Sequence, residues 1–221
     1  MAGILVINPN SNAEVTRGIA RALTEVAGVL PVPVDVVGLE STPFGIETQQ
    51  DVDAVAGPLA ERIEADGEAH DAYVIACFSD PGLHGAREVT AKPVLGIAST
   101  GLLMAMAIGN AVGVISILGT SIPRHWRMYR AMGIDARIAQ DMPVGARVAE
   151  LAGGPDLGSR MEAVGRELVE RHGADVLVLG CAGMGHFRTP LEAALGVTIV
   201  DPTQATVGLA FTSSVLGYRT R

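Results

Sequence analysis

Short unbroken apolar runs alternate with longer, polar-faced segments along the whole chain. Ile4–Ile7 is the first run, and the polar turn NPNSN, residues 8–12, follows it. Ser11 or Asn12 is suited to cap a helix that extends to about residue 28. Residues 32–37 read as a second strand, 41–51 as a long polar loop, and about 50–66 as a helix. Tyr73–Ala76 is a third strand, ending at Cys77. Asp80-Pro81 is expected to open the next helix, with proline near its first position. Pro93–Ile97 is a fourth strand, with a helix over 100–109. Runs with no polar alternation belong to strands covered on both faces, the pattern of a parallel sheet.

The order then starts again. GVISILGTS (113–121) matches LVINPNSNA in hydrophobic pattern, with Ser116 in the place of Asn8. Residues 135–140 form the second strand of this half, and 144–152 and 156–172 are expected to be helical on either side of Gly153-Gly154-Pro155. Val176–Leu179 is its third strand, followed by Gly180 and Cys181. TIVDPTQ (198–204) repeats VLGIAST (94–100), and a helix closes the chain. An internal repeat of this kind predicts an α/β fold of two pseudo-symmetric lobes. Each lobe has a four-stranded parallel sheet flanked by helices. Residues 1–110 form the lobe with Cys77 and 111–221 the lobe with Cys181, with terminal helices free to cross between them. The strand ends face one another across a cleft, where ligands bind in such sheets.

Composition narrows the function classes. The 221 residues are 48% hydrophobic and 18% charged, which suits a well-buried core. A net charge of −8 argues against a broad basic surface, so no nucleic-acid partner is expected. The basic stretch PRHWRMYR, residues 123–130, reads as a solvated helix face. Residues 101–119 are apolar over nearly the length of a membrane span. Gly109–Asn110 divides them into a Met-rich helix and a β-branched strand, so no membrane partner is expected either. The N-terminal segment lacks a basic region ahead of its apolar run, and a cytoplasmic location is the expectation.

The chemistry concentrates on two residues. Cys77 and Cys181 are the only cysteines, and they occupy the same place in the repeat: Asp71 and Asp175 are 104 residues apart, and so are the two cysteines. Ala182, Gly183 and Gly185 follow Cys181 and allow close approach to the backbone. There is no C-x-x-C, and the five histidines lack ligand spacing, so neither a metal nor a dithiol redox centre is expected. NPNSN has no glycine and no G-x-G-x-x-G follows the first strand, which argues against a phosphate or dinucleotide cofactor. Asn8 at the strand end offers both a donor and an acceptor, with Ser116 and Thr120 as counterparts in the second half. His186, five residues after Cys181, reads as a structural histidine.

ILVINPNSN, IACFSDPG around Cys77, LGCAGM around Cys181 and IVDPTQA near the end, in that order, resemble the aspartate/glutamate/hydantoin racemase superfamily, and within it the hydantoin and allantoin racemases. The resemblance implies a cofactor-independent isomerase that works on a small molecule. It also implies that Cys77 and Cys181 are the catalytic acid and base, one on each face of a carbon next to a carbonyl. Asn8, Phe78, Ser79, Ser116, Thr120, Ala182, Gly183 and Met184 would line the substrate pocket. The superfamily's amino-acid racemases carry an acid where this chain has Asn8, so a neutral hydantoin or allantoin-like ring is the expected substrate. Both cysteines precede expected helix starts, which would lower their pKa values. A homo-oligomer is expected. The alternatives are an aspartate or glutamate racemase, a maleate isomerase, an arylmalonate decarboxylase, which keeps only the second cysteine, or a non-catalytic two-lobed binding protein.

Overall fold

A computed structural model of the chain describes residues 2–147, 150 and 156–220. Strands β1 (Ile4–Asn8), β2 (Val34–Gly38), β3 (Ala72–Ile75) and β4 (Val94–Gly96) form one parallel sheet in the order β2-β1-β3-β4. Strands β5 (Val112–Ser116), β6 (Ile138–Pro143), β7 (Val176–Leu179) and β8 (Thr198–Val200) form a second in the order β6-β5-β7-β8. The two sheets therefore share one topology, with Ile7 beside Ile75 in the first and Ile115 beside Leu179 in the second. In each, the chain turns outward in opposite directions from the central pair, which opens a crevice at the carboxyl ends of those strands.

Helices α1 (Ala13–Ala22) and α2 (Thr24–Ala27) follow β1, and Asn12 caps α1 by accepting from the Glu14 N–H at 3.0 Å. Thr48 and Asp51 form a reciprocal capping box at the start of α3 (Gln49–Ala54), which leads into α4 (Ala56–Ala65). The helix expected at Asp80-Pro81 is displaced: Asp80 has φ +43°, Gly82 is left-handed, and α5 (Leu83–Ala86) is one turn. The carboxylate of Asp80 instead turns to α6 (Ile97–Ile108), accepting from the N–H groups of Ala98 at 2.8 Å and Ser99 at 2.9 Å. The apolar stretch 101–119 divides as expected between α6 and β5, and among the described residues no helix is long and apolar enough to cross a membrane.

In the second half, α7 (Ile122–Ala131) follows β5, α8 (Leu157–His172) precedes β7, and α9 (Arg188–Leu195) and α10 (Pro202–Val215) flank β8. Residues 135–137 form a single 3-10 turn, and β6 begins only at Ile138. Residues 144–147 are not helical: Val144 and Gly145 donate to the carbonyls of Ser116 and Ile117, so the chain runs on beside the end of β5. The remainder of the helix expected over 144–152, apart from Glu150, and Gly153-Gly154-Pro155 lie outside the described residues.

The helices do not stay with their own sheets. Ala98, Leu102 and Ala105 of α6 pack with Val112, Val114, Val176 and Val178 of the second sheet. From the other half, α10 packs on β3, β1 and β4 of the first sheet. A central apolar cluster joins Ile4, Val6 and Val74 to Ile115, Leu177 and Leu179. At the crossing of α6 and α10, a Cβ on Gly101 would lie 2.5 Å from the Cβ of Pro202, so only glycine lets the two helices approach this closely.

Candidate active site

The two cysteines are positioned by the same local device. The Ala76 N–H donates to the Ile7 carbonyl and the Gly180 N–H to the Ile115 carbonyl, both at 2.8 Å. These bonds hold each chain to its central neighbour one residue beyond β3 and β7. Cys77 and Cys181 are the next residues, and there the pairing ends. Both thiols are free and half-buried, and both line one pocket with about 540 Å³ of unoccupied space, its mouth included.

Cys77, Phe78 and Ser79 enter this pocket from the first lobe, and Cys181 and Ala182 from the second. Phe78 is buried among second-sheet residues and sets its ring edge-on to His125, 5.4 Å between centroids. The Ser79 N–H favours negative charge on the Cys77 sulfur, and the Gly183 N–H favours it on that of Cys181. Burial nevertheless dominates the electrostatics. It pushes the Cys77 thiol up to about 12, with the neighbouring Cys181 adding to the rise and the Arg124 cation opposing it. Burial likewise pushes Cys181 up to about 11 against the Gly183 N–H. The expected lowering by helix starts is absent, because Cys77 is followed by turns and Cys181 by a 3-10 segment, Ala182–Phe187.

The other residues expected at the pocket lie off its lining. Asn8 is fully buried, and its amide donates to Asn10 Oδ1 at 3.0 Å and Thr16 Oγ1 at 2.9 Å. Asn10, two residues on, is the asparagine that faces the pocket. Ser116 is also fully buried and donates to Asp141 Oδ1 at 2.5 Å. Thr120 is exposed, whereas the next residue, Ser121, lines the pocket. Gly183 and Met184 are buried behind Cys181, Met184 within the central cluster. His186 stacks on Phe187 and is exposed.

The stretch expected to be a solvated helix face proves to be part of the site. Arg124 and His125 of α7 both line the pocket. Arg124 Nε donates to Ser79 Oγ at 3.0 Å, across the lobes. The His125 Nδ1 pairs with Asp141 Oδ2 at 2.9 Å, and Tyr129 OH donates to the same oxygen at 2.8 Å. His125 and Tyr129, four apart, are thus the inward face of α7. The available signal was topological: α7 starts just beyond β5, a central strand, at the end where ligands bind. Val15, Ile46, Ile117 and Leu118 supply apolar wall, and Glu47 a carboxylate. Among the described residues, no three His, Cys, Asp or Glu side chains converge to hold a metal ion.

Two like α/β lobes, each ending a central strand in a thiol at one shared pocket, are the architecture of a racemase-class isomerase. The chain belongs to the Asp/Glu/Hydantoin racemase family, whose family model matches residues 4–210. It is 34% identical over 226 residues to the hydantoin racemase of Pseudomonas sp. (strain NS671), covering 98% of this chain and 88% of the other. It is 35% identical over 221 residues to the hydantoin racemase of Rhizobium meliloti, covering 98% and 90%. Among solved structures, the allantoin racemase from Klebsiella pneumoniae superposes with a TM-score of 0.94 at 29% identity, covering 99% of this chain and 89% of that one.

Proposed function

We propose that this racemase inverts the carbon between the carbonyl and the ring nitrogen of a 5-substituted hydantoin or an allantoin-like ring, without a cofactor. One thiolate takes the proton from one face. The C–H electron pair passes into the ring enolate, and the opposite thiol delivers its own proton to the other face. Cys77 and Cys181 are the two bases, and their roles exchange with the hand of the substrate. The observation that carries this reading is the presence of both thiols, at equivalent strand ends, on one pocket. The apolar wall of Val15, Ile46, Phe78, Ile117 and Leu118 supports an uncharged ring, and the Asn10 amide and the Ser79 and Ser121 hydroxyls supply polar contacts suited to a ring urea. The hydantoin racemase relatives support the same substrate class.

Polarimetry on a panel of 5-substituted hydantoins, allantoin, aspartate and glutamate, with a separate absorbance assay of maleate loss, tests it. Loss of optical rotation with the hydantoins or allantoin, in enzyme dialysed against EDTA, is the expected result. Turnover of aspartate or glutamate alone would replace the substrate assignment. Consumption of maleate would point to the isomerase alternative, and activity restored only by a divalent metal would overturn the metal-free mechanism.

A further inference from the structure

Arg124 breaks a local rule. It sits in the first turn of α7, at the positive end of the helix, where a cation is unfavourable. It is half-buried and forms no ion pair among the described residues; the Asp51 carboxylate attracts it through space, and the neighbouring Arg127 repels it. Its Nε is tied to Ser79 Oγ at 3.0 Å, and Ser79 is the residue whose N–H favours negative charge on the Cys77 sulfur. Among the described residues Arg124 is also the only Arg or Lys on the pocket lining, and its charge acts on Cys77. Cys181 has the Gly183 N–H, and no cation among the described residues acts on it. A half-buried charge with no ion pair, only partly balanced by Asp51 and held beside one thiol, fits a partner that becomes negative there.

We infer that Arg124 is a positioning residue for the Cys77 thiolate: tethered by Ser79, its guanidinium balances the negative charge on that sulfur alone. This rests on the two-thiol reading above. When Cys77 acts as base, the proton leaves the substrate carbon for Cys77 and the negative charge finishes on Cys181. In the opposite direction it finishes on Cys77, beside Arg124. The two halves of a symmetric-looking site are therefore served by unlike thiolates. The other charged or titratable groups facing Cys77 are Cys181 at the end of β7, Asp80 in its own loop, His125 on α7 and Glu47 across the pocket. None of these is a fixed cation, as Arg124 is.

The test is iodoacetamide alkylation of single-thiol enzymes across pH. Cys181→Ala leaves Cys77, and Cys77→Ala leaves Cys181. In the Cys77 enzyme, Arg124→Gln is expected to raise the alkylation midpoint by about one pH unit or more. Below the midpoint this reads as an about tenfold slower rate at fixed pH. Arg124→Met, a second neutral side chain of good helix propensity, should match it, and Arg124→Lys should restore most of the rate. In the Cys181 enzyme the same changes should leave the profile in place. An unmoved Cys77 profile in both neutral variants, or equal shifts of both thiols, would overturn the inference. Alkylation needs no substrate, so failure to racemise hydantoins would sink the proposed function while leaving this result readable.

Discussion

At the scale of single residues, the thiols set the pH behaviour. Burial holds Cys77 at about 12 and Cys181 at about 11, so little thiolate exists at neutral pH. The reactive form is the deprotonated one, and a raised pKa moves its appearance upward in pH. Accordingly, kcat/KM and the rate of iodoacetamide inactivation are both expected to climb through pH 7–9 without levelling, once spontaneous racemisation is subtracted. A plateau below pH 8 in the free enzyme would show that burial does not control the thiols. A second expectation separates the two faces. Cys77→Ser and Cys181→Ser should each lower racemisation by about 10² to 10⁴. Each should retain slow deuterium exchange from D2O into one enantiomer with retention, and the two should prefer opposite enantiomers. Equal exchange of both enantiomers in both variants would exclude the two-base assignment. The cysteines were legible in the sequence because the repeat gives each a position and the chain has no others. Arg124 and Asn10 were not. Hydrophobic pattern locates a residue along an element, but which side chain of a loop or first turn enters a cleft depends on how the opposite lobe packs.

At the scale of elements, the repeat predicted eight strands, and eight form among the described residues, with edges moved by a residue or two at β2 and β4 and by three at β6. The two departures have local causes. Val144, Gly145 and Ala146 run on beyond β6 instead of forming a helix because Ser116 and Ile117 leave carbonyls at the end of β5 for them to bond. Asp80-Pro81 does not start a helix because the Asp80 carboxylate has a stronger use, capping α6 from outside. Its counterpart is reversed in the second lobe: α10 is capped by Asp201 of its own strand end, which accepts from Thr203 at 2.7 Å and Gln204 at 3.3 Å. Both carboxylates lie behind the thiol loops, and both are raised by burial, Asp201 to about 6. Asp80→Ala removes two bonds to the first turn of α6 and leaves its N–H groups facing apolar surroundings. It is expected to destabilise the protein by about 1 to 2 kcal/mol in urea unfolding. An unchanged midpoint would show that water replaces the carboxylate without loss.

At the scale of the whole molecule, the exchange of α6 and α10 decides whether the lobes are separable. Residues 1–110 alone would carry α6 without the second sheet, exposing Ala98, Leu102 and Ala105. They would also lack α10 over β1 and β3. Residues 111–221 alone would have α10 without the first sheet and would leave Val112, Val114, Val176 and Val178 uncovered by α6. Burying a side chain such as Leu102 contributes about 1.5–3 kcal/mol, and a domain's whole margin is about 5–15, so neither half can lose such a face and stay folded. The two lobes should therefore unfold together. Trp126, the only tryptophan, packs edge-on to Tyr129 at 5.5 Å and reports on the second-sheet cluster. Far-ultraviolet circular dichroism reports on both lobes. In urea the two signals should trace one coincident transition. Gly101→Ala, which drives a methyl group toward Pro202 at the α6–α10 crossing, should lower both midpoints equally, by about 1–3 kcal/mol. Two separated transitions, or a Gly101→Ala shift seen by one probe alone, would mean that each lobe holds its own core. The sequence division at residue 110 would then be a division of folding units, not only of sheets.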